Sequence, residues 1–500
     1  MKTLVAIIAS IAFCTSVWQL ERLRSGIEIR IVDIGGTPAT RYRLPGGESP
    51  LVVVAHGFAG SRQLMQAQSL NLARAGYDVL AYDLLGHGRN PVPMAGDVTR
   101  VDGTTALLVA ETRRVLAAGR AMNGADAGTA LLGHSMASDV IVRAARAEAD
   151  AGRPIDAVIA LSMFSPAVVP DEPARLLMLS GEWEGGLRAA ALDALRQVDP
   201  AADEGQTARA DRVVRRAAVA PHVEHVGVLY SSVALDEARR WLDAGFGRSS
   251  DGPAAGSGPW TLLLLAATVA LFRPLAAMLP GTSVPASVPA RPVPARRFLL
   301  AVLLPLPIVP LVATALPTAF LPVLVADYLA VHLALYGSLQ LLILAPWLKM
   351  SWQELAPRTA LLAVLLLVGW GIGVFGIALD RYAASFLPIA ERLPIIAALC
   401  VGTWPFMLAD SLVSGAGHGP WWRRIVVRLA FVLSLGVAVA LQPGELGFVL
   451  IVLPVVVLFY LVHGLMGRWV AQRCGPLAAG SGLALILAWA IGVSFPLFSA

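Results

Sequence analysis

The sequence predicts an α/β domain, with helices on both faces of a mostly parallel sheet, followed by an all-α polytopic transmembrane bundle. Strand-like and helix-like segments alternate through the first half, as in sheets built from parallel strands. Charged side chains are frequent between residues 20 and 250 and scarce from residue 260 onward. At 500 residues the chain is also too long for one ordinary hydrophobic core, so at least two domains are expected.

The composition indicates that much of the chain meets lipid. Hydrophobic residues make up 56% and charged residues 15% of the sequence, whereas soluble proteins average about a quarter charged residues. The net charge of +5 is small, and the arginines are dispersed or lie beside apolar helices. This pattern favours anchoring at a membrane and excludes a nucleic-acid partner. The three cysteines, Cys14, Cys400 and Cys474, have neither disulfide nor metal-site spacing.

The N-terminal segment 1–24 is predicted to be a membrane anchor. Residues 4–20 are apolar over about 17 positions, the lower limit for a membrane span. A cleaved signal peptide is the alternative. No A-x-A cleavage site follows, however, and Trp18, Glu21 and Arg22 resemble an interfacial flank. We therefore predict an uncleaved anchor.

The predicted α/β domain comprises residues 25–245. Leu51–Ala55 is a continuous, mostly β-branched run, typical of a strand that is buried on both faces. The other predicted strands are 27–33, 39–44, 78–82, 129–132, 157–162, 176–180 and 213–219, and the predicted helices are 62–75, 104–122, 135–149, 187–197 and 234–244. Residues 246–259 are rich in Gly, Ser and Pro, which predicts a flexible linker.

Residues 260–500 are predicted to form a transmembrane helical domain with about eight spans. The apolar stretches lie near 260–279, 298–318, 326–347, 359–379, 393–414, 425–442, 447–466 and 478–498. Lys and Arg concentrate in every second loop, and the intervening loops hold only Arg381 and Arg392, each beside an acid. Basic loops face the cytoplasm. We therefore expect a multi-pass protein of a bacterial inner membrane, with the α/β domain and the C-terminus on the extracytoplasmic side.

A candidate nucleophile, Ser135, lies between a short predicted strand and a helix, in the segment Leu132-Gly133-His134-Ser135-Met136-Ala137. Small residues two positions before and after the serine suit a strained turn, because larger side chains would collide with neighbouring strands. The turn also places the serine at a helix N-terminus, which favours a developing oxyanion. The alternative is a chance G-x-S-x-A motif in a chain rich in alanine.

This segment resembles the nucleophile elbow of α/β-hydrolases, with Ala137 in place of the usual glycine. Two upstream segments, 52–58 (VVVAHGF) and 78–88 (DVLAYDLLGHG), resemble the family's oxyanion loop and its next strand and turn. The resemblance implies an esterase- or lipase-like serine hydrolase fused to a membrane domain. It also implies that the backbone N–H groups of Phe58 and Met136 hold the oxyanion. Asp83 and His87 are expected to be structural.

The resemblance further implies the two partners of the serine. By the family's strand-G-x-x-D pattern, Glu184 aligns with the acid, and Glu182 is the alternative. His225 best matches the family's loop before the final helix, with His222 as the alternative. The chain order of serine, acid and histidine is that of α/β-hydrolases.

The sequence therefore predicts a serine hydrolase that cleaves a carboxylic ester and needs no cofactor or metal. Neither half contains a P-loop, a metal-ligand cluster or a Rossmann fingerprint. The connection between Ser162 and Arg175 is too short for a helical lid, which suits a bulky or lipid-like acyl ester presented at the membrane. An acyltransferase to a membrane-delivered acceptor is one alternative. A transporter or scaffold with a degenerate hydrolase module is another. The sequence does not define the oligomeric state.

Four ionisable residues lie in or near the predicted spans: Asp327, His332, Asp410 and His463. Such groups are costly at membrane depth and often functional. We expect them to lie near an interface or to pair within the bundle. A role in lining a path or receiving an acyl group is the alternative.

Overall fold

The computed structural model describes residues 2–46, 48–98, 100–124, 127–250, 252, 254–281, 293–318, 320–347, 357–415 and 417–499. They form two compact units. The α/β unit comprises Thr15–Leu263, Leu379–Ser385 and Pro496–Ala500, and the helical unit comprises Met1–Cys14, Leu264–Ala378 and Phe386–Phe495.

The α/β unit is built on a nine-stranded sheet, counted over the described residues, in the order β1-β2-β4-β3-β6-β7-β8-β10-β9. The strands are β1 Glu28–Ile34, β2 Thr37–Arg43, β3 Leu51–Ala55, β4 Asp78–Tyr82, β5 Met94–Ala95, β6 Thr129–His134, β7 Ala157–Leu161, β8 Arg175–Gly181, β9 Thr207–Ala210, β10 Val213–Ala220 and β11 Phe498–Ser499. The central strands from β4 to β10 run parallel, and the two edges are antiparallel. The predicted fold class is confirmed.

Helices cover both faces of this sheet. The covering helices are α2 Gln66–Arg74, α3 Ala106–Asn123, α4 Met136–Asp150, α5 Gly185–Arg196 and α6 Ser232–Gly245, and α1 Lys2–Arg24 precedes the sheet. Alternate strand residues point to opposite faces. Val53 belongs to the core beneath α3, α4 and α5, whereas Val52 and Val54 belong to the core beneath α2 and α6. Both faces of the central strands are therefore buried, which explains their continuous apolar sequences.

The α/β unit also contains two chain segments whose membership in it the composition does not indicate. Strand β11, near the C-terminus, pairs with β5 in a separate two-stranded sheet. Within the predicted linker 246–259, Ala255 is buried and its N–H donates to Asn71 Oδ1 at 3.0 Å. A helix begins at Gly258. The described part of this segment thus packs on the domain through backbone hydrogen bonds, which a Gly/Ser/Pro-rich composition does not indicate.

The helical unit is built from long apolar helices. Helices α7–α16 are Gly258–Met278, Ala295–Leu303, Pro305–Ala313, Ala326–Leu344, Pro357–Val368, Phe375–Tyr382, Leu393–Val413, Trp421–Leu441, Pro443–Leu446 and Val452–Ser494. Over the described part of the chain, eight helical segments are long and apolar enough to cross a membrane, judged by length and composition. Helix α16 is interrupted at Gly475, where φ is +86°. The last two predicted spans therefore correspond to its two parts.

Candidate active site

The predicted site residues follow strands that are neighbours in the sheet. Strands β6, β7, β8 and β10 run parallel, so their carboxyl ends meet at one edge. Ser135 follows β6, Glu184 follows β8, and His225 lies in the loop after β10. Residues that are far apart in the chain therefore come together at this edge.

Ser135 occupies a sharp turn between β6 and α4. Its φ and ψ are +54° and −122°, a strained conformation for a residue with a side chain. Its N–H donates to Leu161 O at 2.9 Å, which holds the turn against β7. A Cβ at Gly133 would lie 2.7 Å from Ala137 O. The turn therefore requires glycine at position 133, as the motif suggested.

A continuous hydrogen-bond chain joins Ser135, His225 and Glu184. His225 Nδ1 lies 2.5 Å from Glu184 Oε1, and Nε2 lies 2.8 Å from Ser135 Oγ. With Nδ1–H donating to the carboxylate, Nε2 accepts the serine hydroxyl proton. This is the geometry in which an imidazole acts as general base toward a hydroxyl.

Glu184 is held by more than His225. Its Oε2 accepts the Gly181 N–H at 2.6 Å and the Ser162 hydroxyl at 2.8 Å. Burial by itself would raise the pKa of Glu184, but these hydrogen bonds and the one from His225 outweigh it and lower the pKa. The side chain is therefore a carboxylate at neutral pH. Sequence reasoning missed Ser162, although its position directly after β7, beside the nucleophile's strand, could have indicated it.

The two alternative residues, Glu182 and His222, pair with each other. The His222 N–H donates to Glu182 Oε2 at 2.7 Å, and His222 Nδ1 lies 3.2 Å from the same oxygen. The His222 side chain is 86% exposed. The two alternative residues thus lie together at the surface. The histidine that is hydrogen-bonded to Ser135 is His225.

The loop after β3 lies directly against Ser135. A Cβ at Gly57 would lie 3.0 Å from Ser135 Cβ, so a larger residue there would crowd the Ser135 turn. His56 orders this loop, because Nδ1–H donates to Gly57 O at 2.7 Å while Nε2 accepts the Leu84 N–H at 3.1 Å. Burial lowers the pKa of His56, which favours this neutral form. Phe58 is the next residue, and its ring lies edge-on to that of His87 with the centroids 5.7 Å apart.

Met136 is the first residue of α4, next to the nucleophile. The Ser135 carbonyl accepts the Ser138 N–H at 2.8 Å and the Ser138 hydroxyl at 2.6 Å, so it points into the helix. An amide at the start of a helix points outward along the axis, where it can donate to an anion. This placement is compatible with the predicted donor role of Met136, which stays a prediction together with that of Phe58.

His134 is a second residue that sequence reasoning missed. Its Nε2–H donates to the backbone carbonyl of His225 at 2.8 Å, and the two rings lie with their centroids 4.8 Å apart. Burial, together with repulsion from His225, lowers the pKa of His134 to about 4. The side chain is therefore neutral at pH 7 and ties the β6 end to the histidine loop. The position of His134 directly before Ser135 is the one sequence feature that indicates its contact with His225.

Asp83 and His87 have structural contacts. The buried Asp83 carboxylate accepts the backbone N–H groups of Arg62 at 2.7 Å and Arg89 at 3.0 Å, and it pairs with the Arg62 guanidinium. His87 Nδ1 contacts Leu85 O at 2.8 Å. These bonds fix the turn after β4, as expected for structural residues.

Three exposed apolar side chains are neighbours in sequence of the site residues, and they are called the rim. Phe164 and Trp183 are each 67% exposed, and Val226 is 45% exposed. Each of these lies within two residues of Ser162, Glu184 or His225. The connection 163–174, all of which the structure describes, contains no helix. No helical lid from this connection covers Ser135.

Comparisons with known proteins agree with this fold. Residues 50–199 match the family profile of the alpha/beta hydrolase fold. No curated protein sequence matches the chain. The α/β unit therefore has the α/β-hydrolase fold, and the match supports a hydrolase.

Three solved structures illustrate the likeness. A hormone-sensitive lipase from a metagenome library is 16% identical, covering 49% of this chain and 97% of its own, with a TM-score of 0.35. A dienelactone hydrolase from Anabaena variabilis is 18% identical, covering 45% and 100%, with a TM-score of 0.32. A monoglyceride lipase from Saccharomyces cerevisiae is 12% identical, covering 44% and 96%, with a TM-score of 0.33.

Proposed function

We propose that the protein is a membrane-bound serine hydrolase that cleaves a carboxylic ester through Ser135, His225 and Glu184. The observation that carries the proposal is the unbroken hydrogen-bond chain from the Ser135 hydroxyl through the imidazole to a buried carboxylate. A serine hydroxyl is a weak nucleophile by itself and needs such a base to become reactive.

The geometry supports a two-stage reaction. Ser135 Oγ attacks the ester carbonyl carbon while its proton passes to His225 Nε2, and Glu184 stabilises the resulting imidazolium. The oxyanion accepts hydrogen bonds from the Phe58 and Met136 amides, each such donor being worth roughly 3 kcal/mol. Collapse of the intermediate expels the alcohol, which takes the proton from His225. Water then attacks the acyl-enzyme by the same route and releases the acid.

An ester with an apolar acyl chain suits the rim of this site. Phe164, Trp183 and Val226 expose hydrophobic surface next to the three site residues. Burying such surface against an acyl chain is worth about 25 cal/mol per Å². The acyl chain of a lipid-like substrate from a bilayer would contact this rim. The segment 163–174 contains no helix that would block its access to Ser135.

The chain's connectivity supports placing the hydrolase domain on one side of a membrane together with the C-terminus. The Ser385 N–H donates to Ser61 Oγ at 3.0 Å, and the Leu497 N–H donates to Gly86 O at 2.8 Å. The segment after α12 and the segment after α16 are thus parts of the α/β unit. The basic loops predicted to face the cytoplasm alternate with these segments, so we place the hydrolase domain outside a bacterial inner membrane.

Ester hydrolysis by the detergent-solubilised full chain tests the proposal. We expect turnover of p-nitrophenyl esters to increase from acetate to longer acyl chains, and Ser135→Ala to lower kcat by at least about 10⁴-fold. His222→Ala, which removes an exposed imidazole, is the matched control and should retain activity. A Ser135→Ala variant that hydrolyses esters at the wild-type rate would contradict the proposal.

Isotope labelling distinguishes hydrolysis from acyl transfer. In water enriched in oxygen-18, hydrolysis places the label in the released carboxylic acid. Acyl transfer to a membrane-delivered alcohol or amine leaves the acyl group unlabelled and attached to that acceptor. The proposal predicts the labelled acid.

A further inference from the structure

The helical unit contains a polar pocket that the hydrolase reaction does not use. Asp410 from α13, Arg424 and Arg428 from α14 and Arg468 from α16 line it. Ionisable groups in an apolar helical bundle are costly, so three guanidiniums and a carboxylate around one space need a physical reason.

The charged groups around the pocket do not satisfy one another. Arg428 Nη2 lies 3.6 Å from Asp410 Oδ2, which is an ion pair at a distance too long for a hydrogen bond. Among the described residues, Asp410 Oδ1 and Arg428 Nε are buried without a hydrogen-bond partner. Leaving a buried polar group unpaired is destabilising, and more so for a charged group. A ligand that both accepts from guanidinium and donates to carboxylate would remove this cost.

Two glycines allow the chain segments around the pocket to pack closely. Gly467, on α16, is a wall of the pocket, and a Cβ there would lie 2.5 Å from Leu483 Cδ1. Gly417 has a φ of +81°, and its carbonyl accepts from Arg468 Nε at 3.3 Å. This bond orients the Arg468 side chain. Gly467 lets the two parts of α16 approach each other, and Gly417 lets its loop approach α16, because a Cβ there would lie 3.0 Å from Arg468 O.

Other arginines at the same end of these helices do not line the pocket. Arg423 donates to Val293 O at 3.2 Å and lies over the Phe298 ring at 4.7 Å. Arg473 donates to Leu279 O at 2.7 Å. Both guanidiniums are thus engaged in holding the chain together. Two pocket arginines have contacts of the same kinds, since Arg428 lies over the Tyr460 ring at 3.9 Å and Arg468 donates to Gly417 O, but they also line an open space beside a carboxylate.

We propose that this pocket binds a phosphate ester that also carries an O–H or N–H donor. Guanidinium groups form paired hydrogen bonds with phosphate oxygens, and three of them exceed the single carboxylate in charge. Asp410 Oδ1 accepts a hydrogen bond from the ligand's donor, so a phosphate without one fits less well. A lipid headgroup and a free phosphate share this chemistry. The proposal does not depend on the esterase activity.

Binding to the purified full chain tests the proposal. The probes are inorganic phosphate and short-chain, ether-linked phosphatidylglycerol and phosphatidylcholine, whose ether bonds resist hydrolysis. We expect phosphatidylglycerol, with headgroup hydroxyls and a net negative charge, to bind at least tenfold more tightly than phosphatidylcholine. Inorganic phosphate binding as tightly as phosphatidylglycerol would support the site with free phosphate as its ligand. Equal binding of the two lipids would overturn the proposal.

A matched pair of double variants locates the binding. Arg424→Gln with Arg468→Gln removes two positive charges from the pocket, and Arg423→Gln with Arg473→Gln removes two from its surroundings. We expect only the first to lose at least tenfold in phosphatidylglycerol binding. Equal losses would mean that general surface charge attracts the lipid, and no loss would mean that the pocket is not the site. Either result contradicts the proposal.

A second variant covers the case in which the first does not fold. Asp410→Asn keeps the shape of the side chain and removes the acceptor charge. We expect it to reduce the preference for phosphatidylglycerol over phosphatidylcholine while strengthening the binding of inorganic phosphate. An unchanged preference together with unchanged phosphate binding would overturn the role of the carboxylate and with it the proposal.

Discussion

Glu184 determines which ring nitrogen of His225 carries the proton. Because Glu184 Oε1 accepts from Nδ1, the other nitrogen is left to accept from Ser135. The carboxylate in turn is fixed by Gly181 and Ser162. A base that is oriented in advance loses little free energy in reaching the transition state, which is why this arrangement suits catalysis.

Glu184→Gln should keep the shape of the site and remove its function. The amide keeps an acceptor oxygen, but its NH₂ group can face His225 and favour the wrong tautomer. We expect kcat for ester hydrolysis to fall by about 10³–10⁴-fold with the fold intact. Steady-state kinetics and circular dichroism measure the two effects. Glu182→Gln, the neighbouring surface acid, is the control, and an equal loss in both variants would contradict the assigned role.

His134 is predicted to be a positioning residue for His225. His134→Phe keeps a ring against the imidazole but removes the hydrogen bond to the His225 carbonyl. A lost hydrogen bond of about 1 kcal/mol corresponds to a several-fold decrease in kcat, and KM should stay nearly constant. His134→Gln, which can still donate, should recover part of the loss. A change in KM alone, or no recovery with glutamine, would argue for a purely structural side chain.

The sequence predicted candidate site residues only where a short local motif indicates them. Ser135 was predicted from G-x-S-x-A, and Glu184 and His225 were predicted from the resemblance of their segments to those of α/β-hydrolases. Ser162 and His134 act through hydrogen bonds between different loops. Such contacts depend on the register of neighbouring strands, and a local sequence pattern does not predict that register.

At the level of elements, strands buried on both faces could be predicted because their sequences are continuous apolar runs. The apolar runs of β3 and β4 end at the predicted residues, because a polar or glycine-containing turn follows each of them. Strand β9 was missed because three of its four residues are exposed and it forms a hairpin edge. The pairing of β5 with β11 joins segments about 400 residues apart in sequence, a separation that local periodicity cannot report.

The packing of α3 on α4 contains a network centred on Glu148. Its carboxylate accepts hydrogen bonds from three guanidiniums at 2.7–3.1 Å, those of Arg113, Arg120 and Arg153. Burial by itself would raise the pKa of Glu148, but the guanidiniums outweigh it and lower the pKa to about 2. Glu148 therefore helps to hold the helix that carries Ser135 at its N-terminus.

This network should make stability depend on pH. The folded pKa of about 2 lies below the ordinary value of 4.5, so the contribution of Glu148 is complete above pH 4.5 and decreases as the pH falls toward 2. We expect Glu148→Gln to lower stability by about 1–3 kcal/mol at pH 7. The difference from wild type should shrink at pH 3.5. Thermal unfolding at the two pH values measures it, and a difference independent of pH would contradict the ion-pair account.

At the scale of the whole molecule, the alternation of basic loops with segments of the α/β unit predicts that this unit and the C-terminus lie outside the inner membrane. In a variant without Cys14, Cys400 and Cys474, single cysteines can replace exposed residues. We expect Thr207→Cys and Ser499→Cys to react with an impermeant maleimide in bacterial cells whose outer membrane has been made permeable. His418→Cys should react only after the inner membrane is broken. Labelling of all three in unbroken spheroplasts would contradict the proposed topology.

The central claim is that the Ser135 hydroxyl is an activated nucleophile, and covalent labelling with a fluorophosphonate tests it most directly. We predict that the detergent-solubilised full chain is labelled, that peptide mass spectrometry places the adduct on Ser135, and that Ser135→Ala is unlabelled. Ser231→Ala, at the start of α6, should label like wild type. An adduct on another residue, or a folded wild-type protein that takes up no probe, would contradict the account.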